Sequence, residues 1–102
     1  MIVELKQRDS FPPLRLRLTN SDGTIPVLTG ATITLVIGGI GTRTMVLVDA
    51  AQGILRYDWT ATDTQQAGAF VAEVKIIYPG TARQTIPTVG HILIRIHPEV
   101  IV

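Results

Sequence analysis

His91 and His97 are the side chains best suited by type to chemistry, as metal ligands or as proton carriers near neutral pH. On an extended segment they fall on one face, about 20 Å apart at ~3.3 Å per residue. At that separation they share no metal ion, and polar residues at two strand ends account for both. Asp9, Asp22, Asp49 and Asp63 stand beside turn residues. A carboxylate there accepts hydrogen bonds from nearby backbone N–H groups. Asp58 and Glu73 read as outward strand positions beside Arg56 and Lys75, where cross-strand ion pairing is the expected use. Ser10 and Ser21 lack the elbow turn and partnered histidine of a nucleophile. Gly38-Gly39-Ile40-Gly41 has the glycines of a phosphate-cradling loop but neither its lysine nor its helix. A hairpin turn is the simpler reading. The residues therefore predict no catalytic site, no cofactor and no metal, and a protein that is not an enzyme.

The elements that carry these residues read as strands. Leu14-Arg15-Leu16-Arg17-Leu18 alternates strictly, as a half-buried strand does. Residues 2–7, Thr32–Ile37, 42–48, 55–59, 70–78, 85–87 and 91–96 are further candidates, separated by turn signals every 8–12 residues or so. Residues 26–30 read as a short edge or connection. No stretch keeps a 3.6-residue period over three turns, although residues 60–67 leave room for one helical turn. The expected fold is an all-β, immunoglobulin-like antiparallel sandwich of seven or eight strands with Greek-key connections, one domain over residues 1–102. Leu16, Tyr57, Trp59, Phe70, Val74 and Ile94 fall on inward rows and form the expected core. Between two of those rows lies a tight corner. Asp63 offers its carboxylate to the turn, and Gly68 supplies a backbone free of Cβ restrictions.

Composition narrows the function. Nine Lys and Arg are dispersed among eight Asp and Glu, giving a net charge of +1. Without a basic run, nucleic-acid binding is not expected. The longest uncharged apolar stretch, residues 31–41, is well short of the ~20 residues that span a bilayer, and no membrane partner is expected. There is no Cys and no recognisable signal peptide. Yet 46% of the residues are hydrophobic and only 17% charged, which is apolar for so small a domain. Part of that apolar content points outward. If Phe70 and Ile76 face in, Val71 and Ile77 face out; if Ile92, Ile94 and Ile96 face in, Leu93 faces out. Met1, Ile2 and Val3 make one end apolar, and Val100, Ile101 and Val102 the other, a C-terminal run with no charged gatekeeper. These nine residues are the expected protein interface.

Several segments together carry a family likeness. They are Phe11-Pro12-Pro13-Leu14; Asp22-Gly23 followed by Pro26-Val27-Leu28-Thr29-Gly30; Gly53-Ile54-Leu55-Arg56-Tyr57-Asp58-Trp59; Asp63-Thr64 with Ala67-Gly68-Ala69-Phe70; and Ile77-Tyr78-Pro79-Gly80. In this order they resemble the immunoglobulin-like virion proteins of tailed bacteriophages related to the N-terminal domain of upper baseplate proteins. The likeness covers nearly the whole chain. It departs at Phe70, where the pattern has Tyr, so the corner is expected to lack its hydroxyl hydrogen bond. The resemblance implies a non-enzymatic structural protein of the virion. Its partners would be other virion proteins at the baseplate, tail, neck or head, with further copies of itself around a symmetry axis. The second reading is a receptor- or carbohydrate-binding module using residues 38–42 and 79–84 as loops at one end of the sandwich.

Overall fold

The computed structural model describes residues 1–87 and 90–100. All regular structure among them is β, in nine strand segments. These are β1 (Ile2–Lys6), β2 (Leu14–Arg17), β3 (Thr32–Ile37), β4 (Gly41–Thr44), β5 (Val46–Asp49), β6 (Ile54–Tyr57), β7 (Gly68–Ile77), β8 (Arg83–Ile86) and β9 (Ile92–His97). A large sheet runs β1-β9-β7-β3-β4, and a small one runs β2-β6-β5. β8 pairs with the end of β7, at Val74–Ile77 numbering 74–77, while β9 pairs with its start at 68–72. Since β3 occupies the other edge of residues 72–77, β8 continues the edge that β9 begins. The fold is an immunoglobulin-like β-sandwich.

Alternation builds the core. Leu14 and Leu16 on β2, Leu55 and Tyr57 on β6, Ile33, Leu35 and Ile37 on β3, Ala72, Val74 and Ile76 on β7, and Ile92, Ile94 and Ile96 on β9 all face in and are buried. Of the expected core, Leu16, Tyr57, Trp59, Val74 and Ile94 are buried as read. Phe70 differs: it is only partly buried, packed against the core from the start of β7. It lies where the sandwich is closing and flanks Gly39 of the β3–β4 turn.

Three other expectations change. The strand read over residues 42–48 is two strands in different sheets, β4 pairing with β3 and β5 with β6. Met45 is the crossing point; it is buried and its N–H donates to the Ile33 carbonyl at 3.0 Å. The sheets are not wholly antiparallel either, because β1 runs parallel to β9. The whole sandwich between the two strands acts as the long crossover that a parallel pair needs. Finally, residues 60–67 form turns without a helix; residues 26–30 are a connection, one of the two readings given for them.

Candidate docking surface

The densest polar constellation sits at the corner between β6 and β7. Asp63 is buried there, 3% exposed. Its Oδ2 accepts the Thr60 N–H at 3.0 Å and the Tyr57 hydroxyl at 2.5 Å; its Oδ1 accepts Arg43 Nε at 2.8 Å. Thr60 Oγ1 in turn accepts the Asp63 N–H at 3.3 Å. Burial alone would raise the Asp63 pKa, but the bonds from Tyr57, Thr60 and Arg43 outweigh it and hold the carboxyl below the ordinary range. Burial, and then the donation to Asp63, push the Tyr57 hydroxyl up to about 12. Arg43 is held more firmly protonated by the same carboxylate. Each group is thereby fixed in its resting charge state, which is the opposite of a poised acid or base. Tyr57 also meets Trp59 edge-on, with ring centroids 5.3 Å apart. The arrangement locks a corner.

The corner does have a hydroxyl anchor, contrary to the expectation drawn from Phe70. It comes from Tyr57, one strand earlier. The turn role read for Asp63 is present, and Gly68 has a φ of +149°, which side-chain-bearing residues rarely adopt. Arg43 and Thr64 were missed. The Thr64 hydroxyl donates to the Asp9 carbonyl at 2.9 Å, and the Arg8 N–H donates back to the Thr64 carbonyl at 3.0 Å. That exchange ties the corner to the segment after β1. Arg43 shares an inward row with Met45 and Leu47, which marks it as a cation in need of a partner but does not say which acid supplies it.

The remaining polar residues behave locally. Asp22 accepts the Thr24 N–H, and Asp49 the Gln52 N–H. Arg56 meets Asp58 at 3.3 Å along its own chain, not across strands, so the cross-strand reading is corrected for that pair. His91 and His97 lie exposed before and at the end of β9. Among the described residues no group of three or more His, Cys, Asp or Glu could hold a metal ion. Loops 38–42 and 79–84 cannot share one end of the sandwich. β3 starts opposite Ile77 and ends opposite Ala72, so the β3–β4 turn and the β7–β8 turn sit at opposite ends. A loop-borne site combining them is excluded by this topology.

The outward apolar residues are better organised. Ile2 lies opposite Leu93, and Leu93 lies opposite Val71, so the three form one row across β1, β9 and β7. Gly38 extends the row, its N–H bonded to the Val71 carbonyl at 2.9 Å. Met1 and Val71 are 64% and 47% exposed, Ile2 is exposed, and Leu93 is half-buried beneath its neighbours. The next row is charged: Glu4 lies 3.9 Å from Arg95 and 3.2 Å from His97. An apolar strip bordered by the polar Glu4, Arg95 and His97 has the anatomy of a docking patch.

The other interface candidates stand apart. Val3 turns inward and packs against the core, correcting its assignment. Ile77 is exposed at the far end of β7, opposite Thr32 and Arg83. Val100 is 82% exposed beyond the His97 end of β9, where Glu99 is held by Arg8 and Gln7. Ile101 and Val102 lie outside the described residues. Exposed Phe11, Val27, Val46 and Val48 were not anticipated. Val46 and Val48 alternate with half-buried Leu47, a signal that was readable.

No protein-family model and no curated protein matches the chain. A solved structure does. It is CopC from Methylosinus trichosporium OB3b, similar at a TM-score of 0.56 and 10% identity, over 98% of this chain and 87% of that one. At that identity the likeness shows the fold, a β-sandwich, and nothing about activity.

Proposed function

We propose that this chain is a non-enzymatic structural protein of a tailed-phage virion, docking onto other virion proteins through the outer face of its large sheet. The observation that carries the reading is the Ile2–Leu93–Val71 row. A free monomer gains nothing from three aligned apolar side chains on a solvent face beside an edge strand, whereas a docked one buries them. The sequence resemblance to immunoglobulin-like virion proteins supplies the setting. The buried corner supports the same reading, because its charges are locked and serve rigidity.

Docking of this kind buries on the order of 1,000 Å² or more, with the row at its centre. Val71→Glu combined with Leu93→Glu places two charges in that centre without touching the inward rows. The double variant is expected to stay folded at a cost of about 1–2 kcal/mol, because the two new carboxylates stand directly opposite each other and Leu93 is half-buried. Particles assembled with it should lose most of the protein. Incorporation of the double variant at wild-type level would sink the reading.

A further inference from the structure

The small sheet stops at β2, and the outer edge of that strand is open. Leu14 and Leu16 stand opposite Tyr57 and Leu55, and the Leu18 N–H donates to the Gly53 carbonyl at 2.8 Å. Backbone groups point alternately to the two sides of a strand, so the leucines turn theirs toward β6. Arg15 and Arg17 turn their N–H and C=O groups outward, and among the described residues nothing pairs with them.

Beside that edge the two sheets stand apart. A hollow of about 190 Å³ is lined mostly by apolar side chains, Leu16, Leu18, Val74, Ile86 and Ile92 among them, with Arg17 and His91 also in its wall. It shares Arg17, Leu18 and Ile86 with a groove of about 650 Å³ that ends among Asn20, Asp22 and Gln84. The edge therefore combines unpaired backbone groups with an apolar trough, the two requirements for accepting an added strand.

The charges on the rim say which strand fits. Arg15 lies directly opposite Arg56 in a pair where side chains approach closely, and like charges so placed destabilise a sheet. Arg56 has Asp58 beside it, and Arg17 bonds only the neutral Gln52. Among the described residues neither Arg15 nor Arg17 has an acidic partner. The outer edge of β1 offers no such preference. It carries Glu4 and Lys6, of opposite sign, and the Lys6 carbonyl already accepts the Asp9 N–H at 3.1 Å.

The geometry points to the open edge of β2 as a strand-acceptor site for an extended partner segment. That segment carries acids beside Arg15 and Arg17, and apolar side chains at alternate positions that enter the trough over Leu16 and Val74. It becomes a fourth strand of the small sheet. The inference does not rest on the virion reading; it uses only the edge, the trough and two arginines.

Two nine-residue synthetic peptides test it, one alternating Val and Glu, the other Val and Lys. The Val–Glu peptide is expected to slow hydrogen exchange at the Arg15 and Arg17 amides and to bind about tenfold more tightly than its Val–Lys counterpart. Arg15→Glu with Arg17→Glu should reverse the preference. Arg17→Pro removes one outward N–H without touching a β2–β6 bond; it should abolish the protection while the β6 amides stay protected. Failure of both peptides, equal binding of both, or protection at β1 or β4 instead would overturn the proposal. So would Arg15 and Arg17 amides already protected in the protein alone with a concentration-dependent rise in mass, since a second copy would then occupy the edge.

Discussion

At the residue scale, the account turns on Asp63 and the three groups around it. A buried carboxylate is costly unless its oxygens are bonded, and here both are, by Arg43, Tyr57 and the Thr60 backbone. Tyr57→Phe removes a hydroxyl bond to a charged acceptor and should cost about 2 kcal/mol in urea unfolding at pH 7. The pH profile adds a signature. Asp63 is depressed in the folded state, so its contribution is present above the ordinary carboxylate pKa and is lost as pH falls through the folded value. Tyr57 is raised to about 12, so its contribution is present below about 10 and is lost as pH rises through about 12. Tyr57→Phe should therefore flatten the alkaline arm while leaving an acid arm. An unchanged alkaline arm would assign that loss to other groups. The turn role of Asp63 was legible because an Asp before a Gly announces a corner. Its burial was not, because Arg43 arrives from a strand twenty positions earlier and no local pattern links them.

At the element scale, a period of two reports which face a side chain takes and nothing about the strand's direction or its sheet. Thr42, Thr44, Val46 and Val48 face out while Arg43, Met45 and Leu47 face in, without a break, although the chain changes sheet at Met45. The crossing therefore read as one strand. The parallel β1–β9 pair was hidden for the same reason, since alternation is identical in either direction. Turns were more legible, and Gly53 shows why. It sits at φ +67°, and a Cβ there would lie 2.6 Å from the Leu18 carbonyl oxygen, in the tight end of the β2–β6 pair. Gly53→Ala is expected to cost more than ~2 kcal/mol, the left-handed backbone penalty plus displacement of β2. Gly23 is the control: its φ is +87° but nothing lies within 4 Å of the added Cβ, so Gly23→Ala should cost only ~1 kcal/mol. Equal costs in thermal unfolding would mean that the close approach to Leu18 contributes nothing.

At the scale of the whole molecule, the two sheets are unequal, and the inequality shapes what the surface can do. Six strand segments face three, so the large sheet presents a broad outer face and the small sheet ends early at β2. The first feature displays the Ile2–Leu93–Val71 row; the second leaves an open edge above a trough. The outward residues were legible one strand at a time, but their alignment into a row depends on register, which only pairing fixes. Val3 and Ile77 left the set for that reason, one turning inward and the other falling at the opposite end of β7. A rigid sandwich with locked corner charges and a patterned outer face is suited to being held in an assembly. The most direct test of the proposed virion role is quantitative mass spectrometry of purified tailed-phage particles from cells in which the chain is made, scaled to the major capsid protein. The account predicts the protein in those particles at a fixed ratio set by the symmetry of its site. Its absence from particles that are otherwise complete would contradict the account.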